Sequence, residues 1–303
     1  MKNLFFIDHD FVNSRLDKWF KKKVCNVPQS FIEKNLRKGN IRINNKKAKS
    51  SYKVQKNDKV LVKNFDLIKR IDKKKLNRYQ ATKKDLSFSS EIFIENNEDF
   101  VVINKPAGIP VQSGTKSRRN ILDILRKTKE FSGSEPYTVH RIDKETTGIL
   151  IVAKNRKSAQ LFTSLFRIRK IHKTYLGVVL GQPKKNTGTL IDTLINYEGE
   201  KKIYTKAITH YSVLDSNNNY SLLSLNPETG RKHQLRKQLL IHDHPILGDS
   251  KYRISANKNS GKNVLMLHAH KINFSIDGAK YSFLAEPPIN FKNVLKEKYL
   301  KIF

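Results

Sequence analysis

Acidic side chains are scarce in this chain. Its 27 aspartates and glutamates stand against 60 lysines and arginines, a formal net charge of +33 over 303 residues. An excess of that size, spread along the whole sequence, points to a polyanionic partner. Nucleic acid is the first candidate and an anionic membrane surface the second. A lysine-rich coding bias adds to the charge without producing all of it. Cysteine is nearly missing. Cys25 stands alone, which excludes an internal disulfide and a cysteine-built zinc site and fits a reducing cytoplasm. Long apolar runs are missing as well. The opening MKNLFFIDHDF carries four consecutive apolar residues, Leu4–Ile7, before Asp8, too few for a signal peptide. No stretch approaches the roughly 20 residues of a membrane helix. The membrane therefore recedes as a partner, and a soluble, monomeric cytoplasmic protein is expected.

Other absences narrow the chemistry. No nucleophile-elbow sequence supports Ser/His/Asp hydrolysis. Ser260-Gly261-Lys262 hints at a phosphate loop, but that motif requires glycine at position 256, where Ala256 stands. His242-Asp243-His244 and His268-Ala269-His270 invite a metal reading. However, His244 precedes a turn proline, and His268 and His270 alternate along a strand, so both pairs read as structural or ligand-facing. No metal is expected. No repeat recurs at a fixed period.

What is present suffices for a folded protein of two domains: hydrophobic residues make up 38%. Residues 14–63 read as a small basic module. Leu16, Trp19, Phe20 and Val24 fall at helical spacing over Arg15–Val24. A second helix follows Pro28, with Ser30 and Glu33 at capping-box spacing and Gly39 at its end. Short strands are expected at Ile41–Ile43, Tyr52–Val54 and Val60–Val62. Residues 64–90 are polar and basic, a linker. From 91 to 303 strands dominate: Ile92–Glu95 and Phe100–Asn104 as a hairpin, then Ile149–Val152, Lys173–Leu180, Ala207–Leu214, Tyr220–Leu225, Val264–Phe274 and Tyr281–Leu284. Helices are expected at 120–130, 158–168 and 235–241. Hairpin links and few helices argue for an α+β fold with a mixed or antiparallel sheet.

Two stretches carry chemistry. The first, VHRIDKETTGILIVAK (139–154), sets His140, Arg141, Asp143, Lys144 and Glu145 just ahead of a buried strand. Gly148 at the strand's entrance suggests a tight turn or a close backbone approach to something bound. The second, PETGRKHQLR (227–236), gathers Arg231, Lys232, His233 and Arg236. If Gln234 onward is helical, Arg231 and Lys232 sit at its positive end, where phosphate binds well. Asp143 in a partly dry pocket needs a cation to stay ionised, and Arg236 is the candidate.

Together these stretches resemble the RluA-type family of RNA pseudouridine synthases. Supporting segments are INKPAGIPV (103–111), KTYLGVVLG (173–181), HPILGDSKY (244–252) and LHAHKINF (267–274). Thr147, Ile142 and Asp243 stand where the family more often has serine, leucine and glycine. The resemblance implies that Asp143 attacks a flipped-out uridine, either at the base or at the sugar carbon bearing it, with no cofactor. Tyr175 would stack on the base and assist removal of the C5 proton. Arg236 would orient Asp143, Arg141 would fill the space the base leaves, and His140 would hold the loop. Lys105, Arg231, Lys232 and His233 would face RNA. Residues 14–63 resemble the S4 RNA-binding domain, which assigns RNA phosphates to Arg15, Lys34, Arg37 and Lys38. An S4 domain ahead of such a catalytic domain implies large-subunit (23S) ribosomal RNA, or a precursor of the subunit, as partner. The rival reading is a ribosome-assembly factor that binds RNA without turnover.

Overall fold

The computed structural model describes residues 2–63, 79–89, 91–113, 119–198, 201–254 and 264–302. They form two compact units, divided between Arg78 and Tyr79. Most of the basic stretch 64–90, together with Ser260–Lys262, lies outside the described residues.

The first unit holds α1 (Leu16–Lys23), α2 (Gln29–Arg37) and the strands β1 (Lys2–Phe6), β2 (Ile41–Ile43) and β3 (Lys59–Lys63). β3 lies between the other two in an antiparallel sheet. Leu16, Trp19 and Phe20 of α1 and Ile32 and Leu36 of α2 are buried against Ile41, Val60 and Val62. The lysines of both helices stay on the opposite faces. Gly39 takes φ +71° and ends α2 as expected.

Three expectations need correction here. β1 belongs to the module, which therefore starts before residue 14; its pairing with β3 is long-range, and five residues carry no turn signal. Tyr52–Val54 is not a strand. Its backbone instead closes over the start of α1, where Leu16 N–H donates to Tyr52 O at 2.7 Å and Val54 N–H to Ser14 O at 3.0 Å. The capping box does not form: Pro28 caps α2 and Glu33 turns to Gln29 and Ser50.

The second unit begins inside the expected linker. α3 (Lys83–Ser89) is anchored by Asp85, whose buried carboxylate accepts from Tyr79 Oη at 2.6 Å, Thr82 N at 2.9 Å and Arg119 Nε at 2.9 Å. Burial opposes the charge, but these donors outweigh it and hold the carboxyl well below its usual range. The helix is thus part of the larger unit and not a spacer.

Its remaining elements are β4 (Phe93–Asn96), β5 (Phe100–Lys105), α4 (Ile121–Leu125), β6 (Tyr137–Thr138), β7 (Thr147–Ala153), α5 (Arg156–Arg167) and β8 (His172–Leu180). There follow β9 (Thr187–Glu198), β10 (Lys201–Ser216), β11 (Tyr220–Pro227), α6 (Gln234–Ile241), β12 (Leu267–Ile276), β13 (Ala279–Leu284) and α7 (Ile289–Glu297). The strands make one mixed sheet in the order β4-β5-β7-β12-β8-β11-β10-β9, with β13 on β12 and β6 on β7. The α+β expectation holds.

The centre of that sheet positions everything else. Every residue of β7 is buried, as a β-branched run between two covered faces should be. It touches β12 over two residue pairs, His268 with Thr147 and Ala269 with Gly148, in parallel. Gly148 has φ +105°, and a Cβ there would lie 2.2 Å from Ala269 O. The close approach at this glycine is therefore to the backbone of a neighbouring strand, a strand crossing, and not to a bound molecule. Beyond it β7 and β12 part, and each half of the sheet builds its own core. One is the ring cluster of Phe100, Phe162, Phe274 and Tyr281 with α5. The other gathers Leu176, Leu223, Leu225 and Leu239 with α6 and α7.

Candidate active site

Asp143 sits in the loop between β6 and β7, where the two halves of the sheet meet. Several ties fix that loop. His140 Nε2 accepts from Ile151 N at 2.8 Å, and its ring stacks on Phe166 at 4.5 Å. Burial, helped by the Lys173 ammonium, pushes His140 down to about 3, so the ring is neutral with its proton on Nδ1. Lys105 Nζ donates to Pro106 O, Ile109 O and Lys144 O at 2.6, 3.0 and 3.1 Å. Thr147 Oγ1 meets His268 Nδ1 at 2.8 Å, and His268 Nε2 meets Ala285 O at 2.9 Å. Burial pushes His268 down to about 4, which keeps it neutral. Its Nε2–H donates to the carbonyl and its Nδ1 accepts from the threonine.

Arg236 arrives from the other half, on the first turn of α6. The helix starts abruptly because His233 takes φ +54°. Gln234 pins the turn: its Oε1 accepts from Thr229 Oγ1 at 2.7 Å and Arg231 N at 3.0 Å, and its Nε2 donates to Ile208 O at 3.0 Å on β10. Arg236 then meets two carboxylates. Asp249, with a fully buried side chain, takes Nε and Nη2 at 2.6 and 2.7 Å, a bidentate fork. Nη1 remains for Asp143 Oδ2, at 3.3 Å. The other oxygen, Oδ1, lies 3.7 Å from His233 Nε2. Burial opposes the charges of Arg236 and Asp249, but their mutual bonds outweigh it, raising the arginine and lowering the aspartate. Tyr252 closes the group, with its ring 5.0 Å from the guanidinium carbon and its hydroxyl 2.9 Å from His233 Nδ1.

The resulting cleft has a volume of about 690 Å³, room for a nucleoside. Tyr175, on β8, packs against both cores and lines the cleft together with Asp143. Burial and the Asp143 charge both raise its phenol, so the hydroxyl keeps its proton. Arg141, Arg231 and Lys232 stand exposed around the mouth.

Eight of the expected site residues thus line one cleft: His140, Arg141, Asp143, Tyr175, Arg231, Lys232, His233 and Arg236. Lys105 does not. Its ammonium is buried on three carbonyls and is lowered to about 7 by that burial, so it braces the loop and is not available to RNA. Arg15, Lys34, Arg37 and Lys38 lie on the first unit. Arg15 is held by Asp17 in a fork of 3.1 and 2.6 Å, and the other three are exposed on or next to α2. Sequence reasoning missed Gln234, Asp249 and Tyr252, and also Arg167 and Arg169 at the rim and the half-buried Lys173. Asp249 had one signal, its place just after Gly248 in the segment HPILGDSKY (244–252). No group of metal-ligating side chains occurs among the described residues.

Residues 99–240 match the family model described as RNA pseudouridylate synthase. The chain is 33% identical over 308 residues to ribosomal large subunit pseudouridine synthase C of Buchnera aphidicola subsp. Schizaphis graminum, covering 97% of this chain and 96% of that one. It is 34% identical over 292 residues to the protein of that name from Rickettsia conorii, covering 92% and 96%. Among solved structures, human RNA pseudouridylate synthase domain containing 4 superposes with a TM-score of 0.62 at 26% identity, covering 71% of this chain and 96% of that one.

Proposed function

Because the chain belongs to the RNA pseudouridine synthase family, we propose that its cleft converts uridines of large-subunit (23S) ribosomal RNA to pseudouridine, with Asp143 as the nucleophile. The reaction is an isomerisation. The bond from N1 of uracil to the ribose C1′ breaks, a bond from C5 to C1′ forms, and the proton lost from C5 is balanced by one gained at N1. No oxidant, reductant or external group enters. A carboxylate held in place by Arg236, with Tyr175 lining the same cleft, suits that chemistry whether Asp143 attacks the base or the sugar. Tyr175, held as the phenol, offers its ring to stack on the uracil. As a base toward C5 it must pass its own proton on in the same step.

A base inside an RNA helix must first leave its stack, at a cost of about a few kcal/mol that backbone contacts offset. Arg231 and Lys232 are suited to the phosphates. Arg141 is suited to the vacated gap, because a guanidinium plane stacks as well as donates. The first unit is read as an S4-like RNA-binding module with α2 toward phosphate, and the whole as a cytoplasmic monomer. The described residues contain no helix long and apolar enough to cross a membrane.

The observation that carries the reading is the Asp143–Arg236 contact inside a nucleoside-sized cleft. Nucleoside analysis of digested ribosomal RNA tests it after incubation with the protein. Pseudouridine without released uracil is expected. Free uracil would indicate glycosidic hydrolysis, and tight binding with neither product would indicate an assembly factor.

A further inference from the structure

The strands β9 and β10 form a long antiparallel hairpin at one end of the sheet. Its two faces differ. One carries Leu190, Leu194, Ala207 and Thr209, which are buried, with Gln238 of α6 bonded to Thr209. The other holds Ile191, Ile195, Tyr197 and Tyr204 at 59%, 42%, 66% and 62% exposure. Cross-strand register sets Tyr204 opposite Ile195 and Lys202 opposite Tyr197. The two tyrosines are therefore diagonal neighbours on one open face, and Lys202 and Lys206 are exposed beside them.

This face runs into the wall of the cleft. Arg231 Nε donates to Lys206 O at 3.1 Å, Glu228 N donates to Ile208 O at 3.1 Å, and Glu228 Oε1 meets His210 Nε2 at 2.8 Å. Arg231 and Glu228 both line the cleft. An exposed edge strand with apolar and aromatic side chains would ordinarily invite a second copy of the chain. Here a net charge of +33 opposes self-association. The same charge favours an anionic partner, and exposed rings between lysines are what unpaired bases on a phosphate backbone require.

We propose that Tyr197 and Tyr204 form a stacking platform for unpaired RNA bases flanking the target uridine, with Lys202 and Lys206 on the adjoining phosphates. The inference rests on the RNA reading of the cleft but not on its chemistry. Only an unpaired segment can present base faces to the rings, so the platform selects loops and strand junctions over continuous duplex.

The test is binding by the full chain of two probes: a large-subunit ribosomal RNA transcript and a fully paired RNA duplex of similar mass. The double variant Tyr197→Ala/Tyr204→Ala should bind the transcript about tenfold more weakly or worse, as loss of base stacking implies. Its affinity for duplex should hold, and Tyr197→Phe/Tyr204→Phe should bind the transcript like the unaltered protein. Both side chains are exposed, so the thermal midpoint should not move. Unchanged transcript binding in the alanine variant would overturn the proposal, as would an equal loss on duplex. So would sedimentation showing a dimer that the alanine changes dissolve, since the face would then join two copies. Transcript binding that depends on the tyrosines, in a protein forming no pseudouridine, would support the platform while contradicting the catalytic reading.

Discussion

Arg236 commits its Nε and Nη2 to Asp249 and keeps Nη1 for Asp143. A guanidinium is planar, so fixing one edge fixes the direction of the rest. In the proposed reaction Asp249 is therefore a positioning residue, acting on Asp143 through Arg236. Replacing it with alanine leaves a buried cation without its main partner, a change that typically costs about 3–5 kcal/mol. Below the variant's unfolding midpoint, kcat should fall by about 10² for lack of orientation, with little change in RNA affinity. A loss confined to affinity would mean that Asp249 serves the RNA and not Asp143. This residue was not legible in the sequence as part of the site. Asp143 and Arg236 stand in runs of charge that ask for an explanation, whereas Asp249 follows an ordinary turn glycine and becomes functional only through a contact 13 residues back in the chain. Lys105 shows the opposite error: a lysine in a family motif reads as RNA-facing, and nothing local reveals that three carbonyls enclose it.

The buried histidines give the residue scale its pH dependence. His140 and His268 are lowered to about 3 and about 4 in the fold, against about 6.5 when unfolded. Between those values the unfolded chain binds more protons, so stability rises with pH there. The contribution is complete above about pH 6.5 and is lost as pH falls toward 4. Thermal midpoints measured across that window should decline toward acid, less steeply in His268→Gln than in the unaltered chain. A midpoint indifferent to pH between 6.5 and 4 would contradict the neutral, buried assignment.

At the scale of elements, the crossing of β7 and β12 is the joint on which the cleft depends. The tolerance there is small. Gly148→Ala would drive a methyl into Ala269 O and hold a φ of +105° that alanine resists. The expected cost is at least about 3 kcal/mol, a fall in thermal midpoint of roughly 6–12 °C for a unit of this size. A midpoint unchanged by the substitution would show that the strands can part at no cost.

Elements with strong local signals were legible: β7 from its β-branched run, α5 from the stripe at Phe162 and Phe166, and the hairpin of β4 and β5. Those lacking local signals were not. β9 alternates weakly through Thr187–Glu198, and β1 is defined by a partner nearly 60 residues away. α7 follows a proline pair, and its apolar stripe is sparse. The expected helix over 120–130 ends after Leu125, and a separate turn follows at Lys129–Phe131.

At the scale of the whole molecule, charge sets the terms of association. Exposed cations of the cleft rim and of α2 each displace counterions when they meet phosphate. RNA affinity should therefore drop steeply between about 50 and 200 mM salt, by about 10³ or more if six or more phosphates are contacted. A titration insensitive to salt would remove the role given to the charge.

If Asp143, oriented by Arg236, converts uridine in RNA, the decisive measurement is a map of pseudouridine along a large-subunit ribosomal RNA transcript after incubation with the unaltered protein and with Asp143→Asn. Discrete new pseudouridines are expected with the first and none with the second, although Asp143→Asn still binds the transcript. Equal modification by both proteins would contradict that role for Asp143.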